Sequence, residues 1–574
     1  MSGLHTVEVA REVAMTMRDG VRLMADVYTP TGPGPYPVLL MRSPYDKTTS
    51  EYFSILHPEW YARQGLIVVS QDVRGCFTSE GTFNPFHGEA EDGVDTIAAC
   101  RRLPKANGRV GMYGFSYPGI VQLMAAIHRP DGLAAIAPSF TCDGTYADWT
   151  YRHGVLQLAF AQSWASALAV PEAFRRGSDS DIATALNAAG AIAGSYGHLP
   201  LDDHPLIDRR FAPFYYDWLA HPLHDGFWRP FDIAGRYGEI DIPALHLGGW
   251  YDIFVDGTIR NFQGLRAGAR SAAARVAQRL VIGPWYHQPW SRATGDLDFG
   301  PSGRNRTDEL VVRWYRRWLA DDDDGIGSEP ASNVYVMGAD RWRTDDDFPP
   351  KDMWPTRLYL RGGGRANAID GDGLLEAAAP GADEPHDIYV VDPFAPVPSA
   401  GGRSCCPAEL APMGPRDQRA IEARPDVLVF TGAVLERDLE IVGPVDVVLH
   451  ASATTDDTDF AVKLVDVHPC GRAINLVDGI LRASHREPGA APTPIEPDRV
   501  YRYAFRVGNT AARLRAGHRV RVEIAGTNFP LYERTLNAFR ADRHGGYRDA
   551  RAASVRLFHD AGRPSHVTLP VVDG

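Results

Sequence analysis

From Val21 to Ala137 the apolar positions gather in short β-rich runs separated by segments of helical length. The runs are Val21 to Tyr28, Tyr36 to Arg42, Leu66 to Gln71, Arg109 to Phe115 and Leu133 to Ala137, and Pro58 to Gln64 and Glu89 to Leu103 lie between them as helices. This βαβ rhythm predicts a mainly parallel sheet covered on both faces. The rhythm returns at Ala244 to Gly248 and Arg279 to Gly283, with a helical run from Thr307 to Leu319 after it. One sheet domain is therefore interrupted by something else.

The interruption, residues 143–240, is rich in Ala, Leu and aromatics (Trp149, Phe160, Trp164, Tyr215, Tyr216, Trp218) and poor in β-branched runs, which favours helices. An insertion between sheet strands lies over their C-terminal ends, as a cap. After the acidic run Asp321 to Asp324 and the prolines Pro349, Pro350 and Pro355, the pattern changes to short β segments with little helix. These are Leu358 to Leu360, Asp387 to Val391, Val427 to Phe430, Val445 to Ala451, Phe460 to Val467, Val520 to Ala525, Ser554 to Phe558 and His566 to Leu569. Strands at this spacing, broken by Gly, Pro and Asp, predict a β-sandwich of jelly-roll type. The fold class is α/β with a C-terminal all-β unit: residues 1–142 and 241–350 form the sheet domain, 143–240 the cap and 351–574 the sandwich.

A chain of 574 residues with 44% hydrophobic content can bury several cores. Its net charge of -13 argues against nucleic acid or an anionic membrane as partner. No run of about 18 uninterrupted apolar residues occurs, and Met1 to His5 does not begin a leader, so a cytoplasmic enzyme is expected. The six cysteines show no C-x-x-C spacing and are expected as reduced thiols, with Cys405 and Cys406 as two small apolar side chains in a loop. No cofactor or metal is called for. Asp457, Asp459 and Asp466 are expected as turn and sandwich-brace residues, because a 12-residue calcium loop ending in Glu is missing.

Candidate chemistry begins at Gly114-Phe115-Ser116-Tyr117-Pro118-Gly119, between the run Arg109 to Tyr113 and a helix from Ile120 to His128. A Ser between glycines on a sharp strand-to-helix turn is a nucleophile elbow, with the helix N-terminus favouring negative charge beneath it. The glycine falls one position later than in G-x-S-x-G. A Ser hydroxyl needs a base, and a neutral His serves when a carboxylate fixes its tautomer. Asp252 follows the strand ending at Gly248, and His287 follows the strand ending at Gly283, both where open α/β sheets place their sites. The order Ser116, Asp252, His287 is that of the α/β-hydrolases. The oxyanion donors expected are the backbone N–H of Tyr117 and, since an H-G-G-G segment is absent, the phenol of Tyr45. Asp72 and Arg74 are expected as a strand-end ion pair shaping the floor of the site.

The segments Arg42 to Lys47, Asp72 to Gly75 with Ser79-Glu80-Gly81, Gly114 to Gly119, Gly249 to Asp252 and Gly283 to His287 resemble the CocE/NonD hydrolases, the cocaine esterase-like relatives of X-Pro dipeptidyl-peptidases. The likeness continues through Asp417-Gln418-Arg419, Asp457 to Phe460, Leu464 to Val467 and Asn528-Phe529-Pro530. It implies an α/β-hydrolase domain, a helical cap and a C-terminal jelly roll, with a triad of Ser116, Asp252 and His287 and with Tyr45 in the oxyanion hole. A homodimer is a further expectation of the resemblance. The α-amino-acid ester hydrolases it includes carry acidic residues just past the catalytic Asp, whereas Ile253-Phe254-Val255 stands here, and a desolvated ammonium would find no counter-charge. Phe254 with Trp149 and Trp164 is expected to line a pocket for a compact aromatic or apolar acyl group of a carboxylic ester. An amidase, acylase or X-Pro-type peptidase on the same triad is the alternative.

Overall fold

The parallel strands are apolar throughout because alternate residues feed different cores. In the computed structural model, which describes residues 4–49, 54–405, 411–540 and 545–573, Val38 and Leu40 pack with Ile97, Ile120 and Leu123 on one side of the sheet. Leu39 and Met41 pack with Tyr61, Val312 and Trp314 on the other. The strands are β1 (Val7–Thr16), β2 (Arg22–Pro30), β3 (Tyr36–Ser43), β4 (Ile67–Asp72), β5 (Ala106–Met112), β6 (Leu133–Ile136), β7 (Ala244–Tyr251), β8 (Gln278–Tyr286), β9 (Ser332–Val336) and β10 (Arg341–Asp345). Their spatial order is β1-β2-β4-β3-β5-β6-β7-β8-β9-β10. From β4 to β9 neighbours run parallel, while β1, β2 and β10 are antiparallel edges.

Helices α1 (Pro58–Arg63), α2 (Glu89–Cys100) and α3 (Tyr117–Ile127) precede the insertion. Within it lie a π-helical turn at Thr145–Thr150 and helices α4 (Leu158–Arg176), α5 (Asp179–Ala191) and α6 (Pro213–Ala220), followed in the sheet domain by α7 (Val255–Gly268) and α8 (Thr307–Ala320). The insertion is helical, as its composition suggests. Ser178 starts α5 with a capping box to Asp181, satisfying amides that would otherwise lack acceptors.

From Trp354 onward the chain is β-rich: β11 (Trp354–Arg361), β12 (Leu374–Glu376), β13 (Asp387–Val391), β14 (Val427–Gly432), β15 (Leu439–Ala453), β16 (Asp459–Val467), β17 (Ala473–Arg482), β18 (Tyr501–Leu514), β19 (Arg519–Ala525), β20 (Ala553–Phe558) and β21 (His566–Val572). They form one hydrogen-bonded path, β13-β20-β15-β21-β11-β12-β14-β19-β16-β17, with β18 paired to β15. Strands distant along that path face each other: Phe460 of β16 and Tyr503 of β18 have ring centroids 4.5 Å apart. The cap leans on this domain, with Ala159 N donating to Pro530 O at 3.0 Å and Leu156 N to Glu533 Oε1 at 3.1 Å.

Candidate active site

Past the end of β5, Phe115 bridges Ser139 in parallel and Ser116 turns the chain into α3 with φ 65° and ψ -122°. A side chain at positive φ costs of order 1–3 kcal/mol and persists only where its surroundings over-determine it. Here Ser116 N donates to Ser139 O at 3.0 Å, and Ser116 O accepts from Gly119 N at 2.9 Å and Thr141 Oγ1 at 2.8 Å. Gly119 has to be glycine, since a Cβ there would sit 2.7 Å from Thr141 Cβ and 2.8 Å from Ser139 O. Buried Gln122 of α3 ties the turn to β6, donating to Gly114 O and Pro118 O while accepting from Ala137 N. Tyr117 occupies the first helical position, where its N–H has no intrahelical acceptor, and Pro118 has no N–H to compete.

Strands β7 and β8 are parallel neighbours, and β6 alone separates β7 from β5. Asp252 and His287 each stand one residue beyond their strand, so the two side chains meet across adjacent ends. His287 Nδ1–H donates to Asp252 Oδ1 at 2.7 Å, and both residues are buried. Close approach of the strands requires Gly249, where a Cβ would lie 2.3 Å from Trp285 O. The imidazole contacts the rings of Phe115 at 5.6 Å and Phe254 at 5.3 Å. Because Phe115 adjoins Ser116, this brings the imidazole to the rim that carries the elbow.

Tyr45 lies two residues beyond β3, and its Oη accepts from Trp164 Nε1 of α4 at 2.9 Å. The phenol of Tyr117 points elsewhere: it donates to Glu89 Oε1 at 2.9 Å and accepts from Phe86 N at 2.9 Å, so this residue reaches the rim through its main chain. Glu89 also pairs with Arg42 at 2.7 Å, and Arg42 donates to Gln71 Oε1 at 2.9 Å. Burial pushes the Glu89 carboxyl up while Arg42 opposes it. This chain links the strand before Tyr45 to the helix after Ser116. Sequence reading missed it; the available signal was an arginine ending an otherwise apolar strand.

The expected pocket residues form one aromatic series. Phe254 stacks on Trp149 at 4.9 Å and 16°, Trp149 meets Trp164 edge-on at 5.4 Å, and Trp164 lies parallel to Tyr117 at 6.3 Å. Arg260 of α7 holds the turn carrying Trp149 by donating to Asp143 Oδ1 at 2.7 Å and Asp148 Oδ2 at 2.5 Å. Outward from Tyr45 a groove of about 670 Å³ runs along α4, lined by Pro44, Phe77, Leu168, Pro171 and Phe174.

Two expectations are corrected. Asp72 pairs not with Arg74 but with Lys47, at 2.8 Å, while Arg74 pairs with Asp92 at 2.6 Å and Asp19 at 2.8 Å. Two residues apart at a strand end, they enter different surroundings: Asp72 is fully buried and Arg74 is not. Cys405 is disulfide-bonded rather than a reduced thiol, and Cys406 lies outside the described residues. The chain gives Cys405 an enclosed, apolar position, in one cluster with Trp149 and Phe254. Its segment does reach the site. Ser404 bridges Asp252 in parallel, and Arg403 Nη1 pairs with Asp256 Oδ2 at 2.5 Å.

The chain matches the X-Pro dipeptidyl-peptidase (S15 family) model over residues 19–289 and the X-Pro dipeptidyl-peptidase C-terminal non-catalytic domain over residues 324–568. It is 36% identical over 577 residues to a cocaine esterase of Rhodococcus sp. (strain MB1 Bresler), with 98% of each chain covered. The chain belongs to the CocE/NonD serine hydrolases. It is a serine ester hydrolase with an α/β-hydrolase fold and a C-terminal all-β domain. Among solved structures it resembles an aminopeptidase from a marine sediment archaeon (Thaumarchaeota), with TM-score 0.82, 26% identity and coverage of 99% and 97%. An α-amino acid ester hydrolase shares the fold, with TM-score 0.80, 24% identity and coverage of 99% and 97%. No helix among the described residues is long and apolar enough to cross a membrane.

Proposed function

We propose that Ser116, His287 and Asp252 form the triad of this hydrolase, with Tyr45 Oη and Tyr117 N–H as the oxyanion hole, and that it cleaves carboxylic esters with a compact aromatic or apolar acyl group. The reading rests above all on the 2.7 Å bond from His287 Nδ1 to Asp252, at the rim where the strained Ser116 opens α3. That bond leaves Nε2 as the ring's basic nitrogen. Nε2 takes the Ser116 proton as Oγ attacks the ester carbonyl, then returns it to the departing alcohol. Water, deprotonated by the same nitrogen, releases the acid from the acyl-enzyme. The α3 N-terminus and the phenol of Tyr45 stabilise the charge on the former carbonyl oxygen in both halves.

Phe254, Trp149 and Trp164 supply the apolar wall for the acyl group. The carboxylates flanking Trp149 are engaged by Arg260, so a substrate ammonium would be desolvated without a partner. A panel of p-nitrophenyl esters run beside aminoacyl-Pro anilides tests this, with Ser116→Ala as the blank. Benzoyl and short acyl esters should turn over and the anilides should not. The likeness to an aminopeptidase makes anilide preference the alternative outcome, and turnover surviving in Ser116→Ala would remove the proposed nucleophile.

A further inference from the structure

At the C-terminal end of β16, three metal-ligating side chains converge from two elements. Asp466 is near the end of β16, His468 follows that strand, and His518 sits in the turn between β18 and β19. The β16–β19 register, Asp466 opposite Val520 and Val467 opposite Arg519, brings the strand end and the turn together. We infer that Asp466, His468 and His518 bind one divalent first-row transition-metal ion, Zn²⁺ being the best match.

The distances suit a shared ion. One nitrogen or oxygen from each side chain lies within 4.8 Å of the other two. His518 Nδ1 is 2.8 Å from Asp466 Oδ1, and His468 Nε2 is 3.7 Å from Asp466 Oδ2. Donors each about 2.1 Å from one ion stand roughly 3 to 3.5 Å from each other, so small side-chain adjustments close the set. A hydrogen-bonded brace would explain His518 on Asp466. It does not explain a second imidazole 4.4 Å from the first, centroid to centroid, with Asp466 as the carboxylate common to both.

Main-chain bonds already hold the backbone at both histidines. His468 N donates to Arg472 O at 2.8 Å and its carbonyl accepts from Gly471 N at 2.9 Å, while His518 N donates to Arg515 O at 3.0 Å and its carbonyl accepts from Leu435 N at 2.9 Å. The set opens on a cavity of about 270 Å³ whose opposite wall, Tyr251, Leu297 and Phe299, belongs to the hydrolase domain. Water can therefore complete the coordination. Two imidazoles and one carboxylate suit Zn²⁺, Co²⁺ or Ni²⁺ and not Ca²⁺ or Mg²⁺, which take oxygen ligands. Arg515, on the same turn, is drawn to Gly338 O at 2.7 Å. A metal here joins the end of β16 to the β18–β19 turn at the domain boundary, and its role is structural.

The test uses full-length, tag-free protein freed of metal with chelator and titrated with Zn²⁺ by calorimetry, with Co²⁺ absorption as a second reading. One Zn²⁺ per chain is expected, with a rise in Tm on saturation and ligand-field bands from Co²⁺. His468→Ala and Asp466→Asn should each weaken Zn²⁺ binding by roughly 100-fold or more and remove the Tm response. Asp466→Asn keeps an acceptor for His518, and unchanged p-nitrophenyl ester turnover certifies that both variants are folded. No uptake by the parent protein, or equal uptake by parent and variants, overturns the site.

Discussion

Tyr45 is the residue whose proposed role depends most on one hydrogen bond. With Trp164 Nε1 donating to its oxygen at 2.9 Å, the phenol is held against the cap and oriented to enter further bonds as a donor. Tyr45→Phe keeps the ring and removes the proton, so kcat for a p-nitrophenyl ester should fall by about 10²–10³ with little change in Tm. A loss under about threefold would leave the oxyanion to the Tyr117 amide alone. At this scale the sequence is informative where chemistry coincides with a strand end. Asp252 and His287 could be picked from 19 histidines and many acids because each follows an apolar run, and the fold hydrogen-bonds the two to each other. Arg42, Glu89 and Tyr117 could not be grouped that way. They lie on three elements, and only packing brings a guanidinium, a carboxylate and a phenol into one buried chain.

At the scale of elements, β7 carries both a site residue at its end and a pH-sensitive one in its middle. His246 is buried, with Nε2 3.2 Å from Gln278 Oε1 of β8; burial lowers its pKa from the ordinary 6.5 to about 4, against a small opposing effect of Gln278. The unfolded imidazole thus takes up a proton below 6.5 that the folded one refuses until about 4, so stability present near neutrality is lost as pH falls across that window. Between about pH 7.5 and pH 5 the loss from this group is about 2 kcal/mol. Urea unfolding of His246→Gln should show a pH-induced drop smaller than the parent's by that amount, whatever fixed cost the substitution adds; an equal drop would mean that His246 is protonated in the fold. The elbow gives a second prediction. Gly119→Ala forces a methyl against Thr141 and Ser139 O, so ester turnover should collapse and Tm should fall, where a tolerated alanine would show the turn to be loose. The βαβ runs were legible because parallel strands are continuously apolar. Strands β1, β9 and β10 were not: β1 is largely exposed along its length, and the long β17 and β18 escaped because charged residues interrupt their apolar positions.

For the whole molecule, one carboxylate joins all three parts. Asp256 opens α7 four residues after Asp252; its Oδ2 accepts from Arg152 of the cap at 3.1 Å and Arg403 of the C-terminal domain at 2.5 Å, and its Oδ1 accepts from Asn509 Nδ2 at 2.8 Å. Burial raises this carboxyl, but Arg403, Arg152 and Arg260 outweigh it and hold it far below the usual carboxylate range. Arg403 in turn donates to Val507 O at 2.6 Å, and the next residue, Ser404, pairs with the backbone of Asp252. The third domain therefore does more than cover the hydrolase: its 402–405 segment forms a wall beside the proposed triad carboxylate, anchored by Asp256. Asp256→Asn would take the shared counter-charge from two buried guanidinium groups, Arg152 and Arg403, leaving Arg403 only Asp478 at 3.9 Å; removing one partner of such a buried pair typically costs about 3–5 kcal/mol. Urea unfolding of this variant should show that deficit, and turnover should fall with it as the 402–405 segment loosens from Asp252. Arg403→Lys, which keeps the charge but not the planar fork, should recover stability better than activity. If Asp256→Asn unfolds at the parent's urea midpoint with parental kcat, the three parts are held together by their apolar contacts and this carboxylate is incidental.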